Sequence, residues 1–428
     1  MASAQIANIT GYRILDSRGV PTVRVEVVLT SGEVGVAAVP SGASTGARES
    51  VEIRDHTARY GGRDIQTVLN NIEREVAPGL IGRDVRRQQD IDRWLIERDG
   101  TPNKSRWGAN TILGVSLAVA QAAAQAAGEP LYRLWLAGQA GELPTPQFNV
   151  VNGGAHADNK LAVQEFLLIP GGAPTVAEAI RMGSESYQAL KAELRQRGFR
   201  TAVGDEGGFA PGISHPEEIF ELLLRAIERA GLAAGRDVAL GIDVAANSLW
   251  QAGRYHWEDG VVDYASLIAS YAKWVRDYPL ISIEDGLAED DWEGWAALTR
   301  TLGGSCQIVG DDIFVTHANL VERGIRERSA NAVLIKLNQV GTVTETRDVL
   351  NLAQTAGWNT VVSHRSGETD DTAMVDLAVA HRAGQIKAGA PQRGERTAKY
   401  NRLLLIEAKD PRLPFAGWRG LPSRPERG

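Results

Sequence analysis

The sequence predicts an α/β chain, with an N-terminal α+β cap domain at residues 1–137 followed by a β/α barrel at residues 138–428. Three observations carry that reading. Strand-like alternation runs through residues 5–40, and helical periodicity through residues 65–137. Beyond these, short apolar runs alternate with amphipathic helices, and each run carries at one end a residue of the kind catalysis uses.

Within the cap, TVRVEVVLT, the turn Ser31-Gly32-Glu33 and VGVAAVP form an antiparallel hairpin with one buried face. Pro40-Ser41-Gly42-Ala43-Ser44-Thr45-Gly46 fits neither period and is a loop. IQTVLNNIEREV and QQDIDRWLIERD have helical spacing. The Ala-rich stretch from Thr111 to Gly128 is apolar almost all round, but Gln121 and Gln125 interrupt it. It is a buried helix rather than a membrane span. AGQAGELPTPQ (137–147), with Pro144 and Pro146, is the expected linker. Helices at 217–231 and 344–357 then alternate with the strands, and the final GLPSRPERG is expected to fray.

A net charge of −7 and a pI near 5.7 leave no basic stripe for nucleic acid. The lone Cys306 rules out an internal disulfide and suits a reducing cytoplasm. The N-terminus lacks an apolar core of signal-peptide length, so a cytoplasmic chain without membrane attachment is expected.

The apolar runs carry the chemistry. EFLLIP follows Gln164-Glu165; the others end at Asp243, Glu284, Asp311, Lys336, His364 and Lys387. From Asp243 the intervals are 41, 27, 25, 28 and 23 residues, the length of a strand plus a helix with its loops. A parallel barrel delivers all its strand ends to one face. Asp243, Glu284 and Asp311 arriving there from different strands would repel one another, and a hard divalent cation, Mg2+ or Mn2+, relieves that. Asp312 follows Asp311 directly, so either of the two is a candidate ligand. Lys336, in the apolar run AVLIKLN, is a candidate base, since burial and a nearby dication both lower a lysine pKa; a structural ion pair is the competing reading. Glu206, in the Gly204–Gly208 turn, is a candidate proton donor, against a bland surface turn. His156 lies in a flexible loop able to cover the site, and His364-Arg365-Ser366 suits a phosphate.

With these residues in view, the chain resembles the enolase family over essentially its whole length. The carrying strings include LDSRG (15–19), VPSGASTG (39–46), NGGAHA (152–157), QEF (164–166) and GDEGGFAP (204–211). They continue through SIEDGLAEDDW (282–292), VGDD (309–312), LIKLNQVGTVTET (334–346), SHRSGETDDT (363–372), GQIK (384–387) and AKYN (398–401). The resemblance implies an enolase-type eight-stranded β/α barrel under the cap, and two Mg2+ per active site. The first would be held by Asp243, Glu284 and Asp311, the second by Ser44. It implies Lys336 as the base at C2, Glu206 as the acid at the C3 hydroxyl and Glu165 as the acid's partner. His156, Gln164, His364, Arg365, Ser366 and Lys387 match positions that touch substrate, with Arg365 and Ser366 at its phosphate and Lys387 at its carboxylate.

The implied activity is dehydration of 2-phospho-D-glycerate to phosphoenolpyruvate. Two other readings stand beside it: an enolase-like dehydratase of specialised metabolism acting on an analogue, such as the one giving carboxyphosphonoenolpyruvate, and a non-catalytic binding protein on the same scaffold. Several positions depart from the family's usual strings, among them Val20, Trp107, Thr111, Asn247-Ser248-Leu249, His317 and Ala388. The family is usually dimeric, with an intersubunit ion pair whose two positions are here Arg24 and Leu405. A homodimer held by apolar contact is expected.

Overall fold

The computed structural model describes residues 4–43, 46–154, 161–257, 260–419 and 421. The cap is built on a three-stranded antiparallel sheet, β1 (Ile6–Leu15), β2 (Pro21–Leu29) and β3 (Val34–Ala38). The alternation of β2 turns Val23, Val25 and Val27 inward, against the helix Ala109–Ala127. Gly35 makes that contact close, because a Cβ there would lie 2.2 Å from the Ala118 carbonyl oxygen. The Ala-rich helix is buried on nearly every side, as its composition requires. No helix among the described residues is long and apolar enough to cross a membrane.

The second part is a closed eight-stranded barrel. In chain order its strands are β4 (Thr145–Asn152), β5 (Glu165–Ile169) and β6 (Ala239–Asp243). A small separate sheet of β7 (Trp250–Gln251), β8 (Arg254–Trp257) and β9 (Gly260–Val262) intervenes. β10 (Leu280–Glu284), β11 (Gln307–Gly310), β12 (Ala332–Ile335), β13 (Asn359–Ser363) and β14 (Gly384–Lys387) complete it. The small sheet accounts for the longest interval, between Asp243 and Glu284.

Two expectations are corrected. The barrel is not wholly parallel, because β5 runs antiparallel to both β4 and β6. That reversal explains why its chemistry, Gln164-Glu165, precedes the apolar run instead of following it: the start of β5 lies at the mouth. The expected linker overlaps the first barrel strand, since Thr145, Pro146 and Gln147 pair with Gln385, Ile386 and Lys387. Pro146 precedes the pairing with β5, which begins at Phe148, so its missing N–H is tolerated.

Beneath the mouth the barrel interior is partly polar. Gln147 donates to Gln385 at 2.6 Å, Gln385 to Gln307 at 2.8 Å, and Gln307 to Ser282 at 3.1 Å. Each amide has its partner, which a buried polar layer requires. Alternation puts Ser282 with Glu284, and Gln385 with Lys387, on the same inward face. Cap and barrel are joined directly, Ser41 and Gly367 exchanging backbone hydrogen bonds of 2.7 and 2.9 Å.

Candidate active site

The register that closes the barrel also assembles its mouth. Asn152 pairs with Glu165, Glu165 with Asp243, and Asp243 with Glu284, so three carboxylates stand side by side on neighbouring strands. Lys387 ends β14 and reaches all three: its Nζ lies 2.8 Å from Glu284 Oε1, 2.9 Å from Glu165 Oε2 and 3.0 Å from Asp243 Oδ2. One ammonium thus serves three buried carboxylates. Burial and the adjacent Asp243 push Glu284 well above the ordinary carboxylate range, against the pull of Lys387. Burial works to lower Lys387, but Asp243, Glu165 and Glu284 together hold it well above its usual value.

Asp311 and Lys336 each follow their strand by one residue and form an ion pair, Nζ to Oδ2. Asp311 Oδ1 accepts a hydrogen bond of 2.8 Å from Gln339 Nε2. Burial acts to raise Asp311, yet Lys336 holds it below its ordinary value. For Lys336, burial lowers the pKa as expected, but the Asp311 carboxylate outweighs it and the ammonium form is favoured. The expected depressed lysine therefore does not come from the protein's own burial.

The tightest group of carboxylates among the described residues is Asp285, Asp311 and Asp312, with oxygens within 4.8 Å of one another. Asp285 is committed elsewhere: its Oδ1 and Oδ2 accept the backbone N–H groups of Asp311 and Asp312 at 2.8 and 3.0 Å. It shapes the turn that presents Asp311. Burial and the charge of Asp311 raise Asp312 to about 7, and Asp312 Oδ2 accepts from Asn247 Nδ2 at 2.8 Å. Asp243, Glu284 and Asp311 offer the hard oxygen donors that a divalent cation takes, and here Lys387 sits on the first two and Lys336 on the third.

On the other side, Glu206 is 3% exposed, so its turn is no surface feature. Glu206 Oε2 accepts from Asn149 Nδ2 at 2.9 Å and faces His364 Nε2 at 3.2 Å. Burial lowers His364 to about 4, with Glu206 opposing and Arg396 reinforcing, so the imidazole is neutral at pH 7. Arg365 is gripped by the cap: its Nη1 lies 2.8 Å from Glu49 Oε2, its Nη2 lies 3.2 Å from Glu49 Oε1, and Nη1 also donates to Asn338 Oδ1 at 3.1 Å. Ser366 and Gln164 are buried beside these groups' strands. Ser44 and His156 lie outside the described residues.

The sequence reading missed Glu49, Asn149, Asn247, Gln339 and Arg396. Gln339 and Asn247 were within reach, one inside LNQVG and the other a noted departure. The rest carry no local signal, because a single amide or charge in a strand, helix or loop has the same pattern as a solvated one. Two departures prove to touch: Thr111 Oγ1 donates to the Trp107 carbonyl at 2.5 Å.

Residues 6–135 match the family profile "Enolase, N-terminal domain", and residues 140–417 match "Enolase, C-terminal TIM barrel domain". A curated "Enolase" from Acidothermus cellulolyticus is 55% identical over 420 residues, covering 98% of each chain.

Proposed function

This chain belongs to the enolase family, and from that premise we propose how its barrel mouth carries out the family's reaction. The chain is a hydro-lyase that dehydrates 2-phospho-D-glycerate to phosphoenolpyruvate, reversibly. Whole-length likeness to an enolase favours this substrate over an analogue of specialised metabolism. Retention of the base, the acid and the carboxylates argues against a scaffold used for binding alone.

The carrying observation is the meeting of two ammonium groups, the half-buried Lys336 and the buried Lys387, with Glu165, Asp243, Glu284 and Asp311 at one mouth. The proton beside a carboxylate is a very weak acid, and its loss makes a doubly charged enediolate. The family is Mg2+-dependent, and Mg2+ when bound supplies the electrostatic stabilisation that transition needs. Asp243, Glu284 and Asp311 would hold the first ion and Ser44 the second, giving two per site.

Lys336, as the neutral amine that a dication held by Asp311 would favour, takes the C2 proton, and Glu206 delivers a proton to the departing C3 hydroxyl. Glu206 Oε2 accepts from Asn149 and faces His364, which hold the carboxyl in place for that transfer. Glu165 steadies the acid side and Lys387. Arg365 and Ser366 take the phosphate, Lys387 the carboxylate, and Gln164, His156 and His364 line the remaining faces. The domains divide at 137/138, the protein is a cytoplasmic homodimer, and the substrate is its one small phosphorylated partner. Purified protein given 2-phosphoglycerate and Mg2+ should produce phosphoenolpyruvate, followed by its ultraviolet absorbance. No turnover with a folded, metal-loaded enzyme overturns the reading.

A further inference from the structure

Arg396 stands in the first turn of the helix Gly394–Lys409 and is fully buried. An arginine brought out of water this completely must spend its donors on specific acceptors. Its Nη1 lies 2.5 Å from His364 Nδ1 and donates to the Arg365 carbonyl at 2.6 Å; its Nη2 donates to the Ser366 carbonyl at 2.6 Å and the Asp205 carbonyl at 3.2 Å. Glu395 contributes an ion pair to Nε at 3.5 Å. The side chain therefore touches three successive residues of the 364–366 loop and the residue immediately before Glu206.

A guanidinium can only donate. The nitrogen it faces, His364 Nδ1, must accept and so carries no proton. In the neutral imidazole the proton then sits on Nε2, the atom facing Glu206 Oε2 at 3.2 Å. The opposite tautomer would set two N–H donors against each other at Nδ1 and two lone pairs against each other at Glu206.

We propose that Arg396 is a positioning residue for the acid half of the site: it sets the His364 tautomer that donates to Glu206, and it ties the Glu206 turn to the loop carrying Arg365 and Ser366. This rests on Glu206 being the acid. With Asn149 as the second donor, two hydrogen bonds to Oε2 fix the orientation of the Glu206 carboxyl. The same guanidinium fixes the carbonyls of Arg365 and Ser366, so the acid and the phosphate-binding groups share one anchor.

The wild-type protein itself gives the first test. With 15N-histidine labelling, and His364 assigned through His364→Gln, the His364 signals should be those of an unprotonated Nδ1 and a protonated Nε2. A protonated Nδ1 overturns the proposal without any Arg396 variant having to fold. In Arg396→Gln, kcat for dehydration should fall roughly 10–100-fold, the range for a group that orients a reacting one. C2 proton exchange should be largely retained, and Arg396→Lys, which keeps a charged donor, should recover part of the loss. An Arg396→Gln enzyme with kcat within twofold of wild type, or one losing exchange and dehydration equally, overturns the proposal. Failure of the underlying reading looks different, since Glu206→Gln would then dehydrate normally.

Discussion

Glu49 of the cap and Arg365 of the barrel form a buried two-point ion pair, carboxylate to guanidinium at 2.8 and 3.2 Å. It ties the cap loop to the mouth, and it holds the guanidinium assigned to the substrate's phosphate. Glu49 thus supplies the countercharge of Arg365. Glu49→Gln should leave a buried guanidinium without a countercharge, at a cost of roughly 3 kcal/mol. Inorganic phosphate should then raise the melting temperature more in the variant than in the wild type. Equal melting and equal phosphate response would mean that the pair contributes nothing.

Lys336 and Glu206 should separate the two halves of the reaction. Lys336→Ala should lose C2 proton exchange and turnover together, by about 100-fold or more, as removal of a general base does. Glu206→Gln should lose dehydration and keep some exchange. Wild-type exchange in the lysine variant would refute the base assignment. Because Lys336 neutralises Asp311, the alanine variant should also melt earlier in metal-free buffer and recover with Mg2+.

The carboxylates should report on the metal. A hundredfold excess of Mg2+ over its Kd stabilises the folded chain by about 2.7 kcal/mol. Asp243→Asn, Glu284→Gln and Asp311→Asn should each shrink that gain, and chelator should inactivate the wild type reversibly. Full activity in rigorously metal-free buffer would sink the assignment.

His381 should make stability fall in mild acid. Burial, reinforced by Arg347, lowers its pKa from the ordinary 6.5 to about 4. Between those values the unfolded chain binds more protons, so its contribution is complete above about pH 6.5 and is lost as pH falls toward 4. From pH 7 to pH 5 the loss should be about 2 kcal/mol. His381→Gln should flatten the dependence of urea stability on pH by that amount. A slope unchanged by the substitution would show that His381 is protonated in the folded protein.

Assembly should be insensitive to salt. Arg24 is paired within its own strand to Glu26 at 3.0 Å, and Leu405 is 53% exposed. Leu405 offers the Arg24 guanidinium no countercharge. Light scattering should show a dimer at micromolar concentration that persists as salt rises. A monomer, or a dimer that dissociates in salt, refutes the apolar contact.

What could be read from residue order was whatever depends on local pattern. Period-two alternation marked β2 and β3, and the apolar circumference of 111–128 marked the buried helix. The spacing of strand ends from Asp243 to Lys387 marked a barrel with its chemistry at one mouth, because each repeat is a short, self-contained strand and helix. The direction of β5 was not legible, since a strand's internal pattern is the same whichever way its neighbours run. Closure and register decided that Lys387 serves Glu165, Asp243 and Glu284, which lie far from it in the chain. The same holds for Arg396 and the His364 tautomer, and for Glu49 and Arg365. A hydrogen bond or ion pair acts over about 3 Å of space, and only the folded chain determines which residues come that close.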